Sequence, residues 1–332
     1  MIRLFFTSLT APQLSGEADK LMPRNTDSFG DALFQLARNA LNGLRPDIQE
    51  ALRLCLGILA VVLLISLLKL LPGSAEKTVD FAGALGISAL LLGSSNTMVH
   101  LCVDTIHEIS QYGKLLLPVM TSALAAQGGV TTSAALYAGT ALFNTVLTTV
   151  LTELLVPGVY IYLALSVANG AIGEEMLKKL TGFVKWLSVW ILKMILYVFT
   201  GYIGITGVIS GTTDAATLKA AKLTISGTVP VVGGILSDAS EAVLVGARMV
   251  KNAAGVYGVL ALLALFAGPF LQMGCHYLLI KMTGSVCAVF GAKRCTDLVG
   301  DFSTAMGLLL AMTGSVCLLQ MISTVCFLRG VG

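Results

Sequence analysis

The sequence predicts an all-α, polytopic membrane protein of seven to eight spans, with interfacial amphipathic helices and a candidate re-entrant hairpin over 212–252. Three observations predict it. Hydrophobic residues make up 56% of the chain and charged residues 12%, about half the charged share of a soluble protein. Mean hydropathy is +0.87. A soluble fold of 332 residues must give much of its surface to water and cannot hide so much apolar area. The charges are also missing from long runs, and glycine is abundant at 35 residues, as suits helices packed closely in a bilayer. The same composition argues against a disordered chain, a disulfide-dense secreted domain and a basic nucleic-acid binder. A net charge of +3 names no partner by itself.

Two regions follow. Residues 1–50 form an N-terminal region with five basic and six acidic residues, the only long mixed-charge stretch. Arg3 and the apolar Leu4-Phe5-Phe6 make too short a core for a convincing signal peptide; they are a signal remnant or an alternative start. Ser28 and Asp31 offer a capping-box-like helix start. Leu33, Ala37, Ala40, Leu41 and Leu44 then recur at helical spacing, with Asp31, Gln35, Arg38 and Asn42 opposite. This is an amphipathic helix lying on the bilayer or on a partner. Arg45-Pro46 ends it, and Pro46 suits the first turn of the next helix.

Residues 51–332 form the polytopic membrane domain. A span needs about 20 mostly apolar residues. Leu54–Leu68 is uncharged, and Leu70-Leu71 extend it past a snorkelling Lys69. Phe81–Val103 has no Asp, Glu, Lys or Arg. Leu115–Thr152 has none over 38 residues, too many for one span, and Gln127-Gly128-Gly129 is its natural break. The first half, Leu115–Ala126, is short enough to be re-entrant. Leu154–Gly173, Met194–Thr213, Asn252–Ile280 and Phe302–Leu328 complete the series. Lys178, Lys179 and Lys185 anchor one loop in the cytoplasm. Counting spans from there also puts Lys69, Lys77, Lys281, Lys293 and Arg294 inside and the N-terminal region outside. The segment 214–251, with Lys219, Lys222, Arg248 and Lys251, falls outside against the trend.

Residues 174–193 read as an interfacial amphipathic helix, with Trp186 and Trp190 one turn apart in the headgroup zone. His100, Asp104 and Glu108 stack at i, i+4, i+8, either a polar helix end or, less simply, an ion site. Gly201, Gly204, Gly207 and Gly211 recur three and four apart. They form a groove for a packed neighbour or line a path along an unwound helix.

The most unusual stretch is 212–252. A helix bearing Lys219 and Lys222 runs into an apolar break containing Pro230, Gly233 and Gly234. Asp238 starts a second helix whose Glu241, Arg248 and Lys251 share a face, a candidate partner surface. Such a break builds either a re-entrant hairpin, as in transporters and channels, or an interfacial hairpin touching a partner.

The seven cysteines form no C-x-x-C pair and lie mostly in apolar runs, where thiols act as small hydrophobes. Met282–Cys287 and Met312–Cys317 repeat six residues, too little to define an internal duplication. No phosphate-binding, hydrolase or zinc-protease motif occurs. No catalytic residue, cofactor or metal is expected, and the chain is not read as an enzyme.

Thr200–Gly258 reads TGYIGITGVISGTTDAATLKAAKLTISGTVPVVGGILSDASEAVLVGARMVKNAAGVYG. This segment closely resembles the stage III sporulation protein AE family of endospore-forming bacteria. The resemblance is compatible with the flanking spans over roughly 80–332 and weak before residue 50. It implies a multi-pass protein of the mother-cell membrane around the engulfed forespore. The implied partners are the other stage III A sporulation membrane proteins and a forespore membrane partner. Together they form a trans-envelope channel or feeding-tube complex needed for forespore development after engulfment. Family members typically begin with a cleavable signal sequence, which the first residues here match poorly. The resemblance transfers no catalytic residues. The rival expectation is a self-sufficient small-solute or ion transporter built on the same Gly/Pro-interrupted helices. Few charges lie deep in the spans, which favours a scaffold or nonselective path over a proton-coupled pump.

Overall fold

The computed structural model describes residues 16–22, 29–69, 76–228, 233–290 and 293–329, with their side chains except at 17, 76–77, 204, 206–251 and 329. Among the described residues the regular structure is entirely helical. Two short N-terminal helices, α1 (Gly16–Leu21) and α2 (Phe29–Gly43), precede α3 (Arg45–Lys69), α4 (Glu76–Ala126) and α5 (Val130–Val150). A π-helical turn, Leu151–Leu155, joins α5 to α6 (Val156–Ile172). The chain continues as α7 (Glu175–Thr228), α8 (Gly233–Val289) and α9 (Lys293–Arg329).

Among the described residues, six helical stretches are long and apolar enough to cross a membrane: Arg45–Lys69, Thr78–Ala126, Val130–Ile172, Glu175–Ile203, Asn252–Val289 and Lys293–Leu328. The sequence expectation of seven to eight exceeds this because two pairs of apolar runs are single helices. Leu115–Ala126 is not a separate segment; α4 carries through His100–Lys114 without a break, since charged residues interrupt hydropathy but not helix propensity. Glu153 likewise does not end a span. Pro157 has no N–H to give the Glu153 carbonyl, and the helix absorbs the defect in the π-helical turn just before it. The expected break at Gln127-Gly128-Gly129 is real. Gly128 sits at φ 92°, a conformation that favours glycine.

Residues 175–193 are not a separate helix: they form the start of α7, packed on α6 and continuous with the apolar run that follows. The two helices expected within 212–252 are also continuous with their neighbours: 212–228 extends α7, and Gly233 and Gly234 open α8. Pro230 lies outside the described residues.

The helices run up and down, and three turns gather at one end, here the lower. Ser66 Oγ in α3 donates to the Phe290 carbonyl at 3.3 Å, tying the α3–α4 turn to the α8–α9 turn. Lys178 in α7 pairs with Asp297 in α9 at 3.5 Å, bringing in the α6–α7 turn. The lysines that sequence counting put on one side, Lys69, Lys178, Lys179, Lys293 and Arg294, flank these three turns.

α9 is the central helix. It packs on α4, α5, α6, α7 and α8, and buries Leu298, Phe302, Met306, Leu309, Val316 and Phe327. α3 is peripheral, packed on α4 and α8 through Ala51, Ile58, Val62 and Ile65. Its Leu52, Leu56, Leu63, Leu64 and Leu67 point outward. α2 buries Ala32, Leu36, Ala40 and Leu44 and packs on α8. Phe29, Leu33, Phe34 and Leu41 are exposed. The buried stripe is therefore rotated from the expected one, and a second apolar edge is left free.

Candidate functional site

The sequence-derived candidates fall on α7 and α8. Gly201, in α7, is exposed, and a Cβ there would meet nothing within 4 Å. Close packing in this region is carried by its neighbour. The Tyr202 ring lies against Gly139 of α5, where a Cβ would land on the ring, and Tyr202 Oη donates to the Ala135 carbonyl at 2.9 Å. Gly204, Gly207 and Gly211 continue along α7, and Glu241, Arg248 and Lys251 along α8; their surroundings lie outside the described side chains.

A polar junction that the sequence reading missed lies where α4, α5 and α9 meet. Asn144 is fully buried. Its Nδ2 donates to Ser110 Oγ at 3.1 Å and, at 3.4 Å, to the Ser110 carbonyl. Thr148 Oγ1, one turn on, also donates to Ser110 Oγ, at 3.2 Å. One turn the other way, Thr140 and Ser323 share a hydrogen bond at 2.6 Å. Gln320, 2% exposed, lies one turn from Ser323 and lays its amide on Gly113, which only a residue without a side chain permits. Asn144 Oδ1 and Gln320 Nε2 are buried without a hydrogen-bond partner among the described residues. An acceptor and a donor are thus left unmade on two helices facing the same stretch of α4, at a cost that apolar residues would avoid. Lone Ser, Thr, Asn and Gln in uncharged runs carry little sequence signal. The two amides, Asn144 and Gln320, were the clue available.

His100, Asp104 and Glu108 are all exposed on α4. Asp104 and Glu108 line a pocket of about 430 Å³ with Lys20 of α1 and Pro269 of α8. It adjoins a pocket of about 640 Å³ between α2 and the start of α3, lined by Asn39, Asn42, Asp47 and Gln272. Gln272 Nε2 donates to Asp47 Oδ1 at 3.0 Å across it. Among the described residues no group of three His, Cys, Asp or Glu is placed to hold a metal ion.

At the lower end, Lys69 Nζ and Asp80 Oδ1 pair at 2.6 Å, and both side chains are largely covered. Gly173, at φ 78°, closes α6 through its N–H to the Asn169 carbonyl at 2.7 Å, and Arg294 packs over it. Tyr162 Oη donates to Asp301 Oδ1 at 3.1 Å, joining α6 to α9. This end holds together through ion pairs and a capped turn. The polar junction is the arrangement whose chemistry packing alone does not explain.

The family model for stage III sporulation protein AE matches residues 24–329. Stage III sporulation protein AE of Bacillus subtilis (strain 168) is 21% identical over 213 residues, which are 63% of this chain and 53% of that protein. The chain therefore spans about half the length of the curated relative it matches. No solved structure matches.

Proposed function

Because the chain belongs to the stage III sporulation protein AE family, we propose that it is a membrane subunit of a sporulation trans-envelope channel or feeding-tube complex. In this reading it sits in the mother-cell membrane around the forespore. It works with the other stage III A proteins and a forespore membrane partner, and forespore development after engulfment depends on it. Its role is non-catalytic. The observation that carries the reading is the family match over nearly the whole chain. The six membrane-length helices and the long α7 and α8 fit a subunit that others dock on. The candidate contact elements are the segment joining α7 to α8 and the α8 face bearing Glu241, Arg248 and Lys251. A clean deletion in a host without a second copy tests it. The expected result is normal vegetative growth with arrest after engulfment; a normal yield of heat-resistant spores refutes it. Arg248→Glu and Gly234→Leu should accumulate but sporulate poorly. If both sporulate like the parent, the segment is an ordinary connector.

One observation favours a second reading. The unpartnered Asn144 Oδ1 and Gln320 Nε2 are the kind of buried polar groups that line a solute path in a self-sufficient transporter. Uptake of a specific solute by liposomes holding this protein alone would select that reading.

A further inference from the structure

The long helices do not fit a bilayer. α4 has 51 residues and α8 has 57, which at 1.5 Å per residue makes about 76 and about 85 Å. A hydrocarbon core is about 30 Å thick. Only α3, with 25 residues and a length of about 37 Å, matches one crossing. It is also the most apolar span, at mean hydropathy 2.7, and its outward leucines have no protein cover. The bilayer must therefore surround α3.

The upper end of α3 lies level with polar positions on α4, the α5–α6 helix, α7 and α8. Asp47 meets Gln272 about two-thirds of the way along α8, and the same pocket reaches Leu101 in α4. Asp104 and Glu108 follow within two turns, and are exposed. Tyr160 Oη donates to Asn96 Oδ1 at 2.9 Å, so Glu153, two turns higher on the α5–α6 helix, stands level with Asp104. Gly158 lies against Ser188, so Lys193 of α7 stands level with Glu153. Trp186 and Trp190, stacked at 6.3 Å and both exposed, lie within two turns below Lys193. Interfacial tryptophans occupy this position at membrane surfaces. The amphipathic α2 joins α3 at this level, with Leu33, Phe34 and Leu41 free.

We propose that one bilayer surface crosses the molecule at this belt. Only the lower part of each long helix lies in hydrocarbon, α2 rests on the headgroups, and the upper part stands beyond the membrane. The placement rests on the geometry of the helices and not on the sporulation reading. It concerns which residues meet lipid, whichever side is cytoplasmic. Exposed apolar side chains above the belt, Leu142, Tyr197 and Ile205 among them, are then outside the hydrocarbon. Their environment separates this placement from one in which lipid follows the helices upward.

Spin labels at single positions of the full-length protein in phosphatidylcholine/phosphatidylglycerol liposomes would read depth from the ratio of oxygen to nickel-chelate collisions. Labels at Leu63 and Leu85 should report hydrocarbon, a label at Phe34 the headgroup zone, and labels at Leu142 and Tyr197 no hydrocarbon depth. Hydrocarbon depth at both Leu142 and Tyr197, or none at Leu63, overturns the proposal. A second measurement avoids labels. Leu64→Arg places a charge at the middle of the span and should lower accumulation in the membrane by about tenfold or more, whereas Leu142→Arg should accumulate like the parent. Equal loss from both substitutions also overturns it. Native spore yield from a deletion strain bears on the function alone, so the two failures are distinguishable.

Discussion

Asn144→Leu should change the stability of the bundle only modestly, while impairing function. Leucine shares asparagine's branching and heavy-atom count but is bulkier, and the site is fully buried. The substitution removes the Nδ2 bond to Ser110 Oγ at 3.1 Å and its longer reach to the carbonyl. Hydrogen bonds between membrane helices average about 0.6 kcal/mol and reach about 1.7. It also removes Oδ1, a buried acceptor with no partner among the described residues, whose desolvation costs about 1–3 kcal/mol. Ser110 Oγ keeps its bond from Thr148, so no new unpaired group is made there. The polar terms balance to a gain of about 0–2 kcal/mol, which the bulkier side chain offsets by about 1–3 kcal/mol. Thermal unfolding in detergent, followed through Trp186 and Trp190, measures the stability. Spore yield at matched protein level measures function. A loss of more than about 4 kcal/mol, beyond what overpacking explains, would show that Asn144 Oδ1 has a strong partner and that the junction is structural. Full sporulation with unchanged stability would remove any reason to regard it as functional.

Three further outcomes follow from close contacts. Gly139→Ala should destabilise by about 1–3 kcal/mol, because its Cβ lands on the Tyr202 ring, while Gly201→Ala, with open space around it, should stabilise by about 0.5–1 kcal/mol; thermal melts of the two compare them directly. Gly173→Ala should cost about 1–2 kcal/mol, because φ is 78° there and Arg294 packs over the position; an unchanged melting temperature would contradict that turn. Lys69→Met and Asp80→Leu should each destabilise by breaking the ion pair between two largely covered side chains. The double variant should recover most of the loss, and additive losses in a double-mutant cycle would mean that the 2.6 Å pair is not coupled.

Much of the architecture could be read from the chain because its signals are long. Uncharged runs marked the apolar helices, Gln127-Gly128-Gly129 marked a turn, and the lysine bias grouped three turns that the structure brings to one end. Span count was not legible for a specific reason. Hydropathy reports charge, and Glu153 and the His100–Lys114 stretch are charged positions inside unbroken helices. The amphipathic start of α7 read as a helix separate from the next apolar run in the same way, whereas the two are continuous and Val184, Ser188 and Leu192 turn inward toward the bundle. For α2, spacing defined a helix but could not choose between two apolar edges, because that choice depends on where α8 runs. The polar junction depends on three helices far apart in sequence. Only tertiary structure brings Ser110, Asn144 and Gln320 together.

The central place of α9 has a consequence for how the molecule is made. Its partners in the core, α4 to α8, are all synthesised before it. Until α9 enters the membrane, Thr140 lacks Ser323, Gly113 lacks the amide that covers it, and Asp301 is not there to receive Tyr162. The earlier helices can therefore insert one after another but cannot close on their proper neighbours. Closure is a late event governed by contacts distant in sequence, which are slow to form. A ribosome that stalls before residue 293 leaves a set of inserted helices with their polar flanks uncovered, the kind of intermediate that quality-control proteases and insertion chaperones act upon.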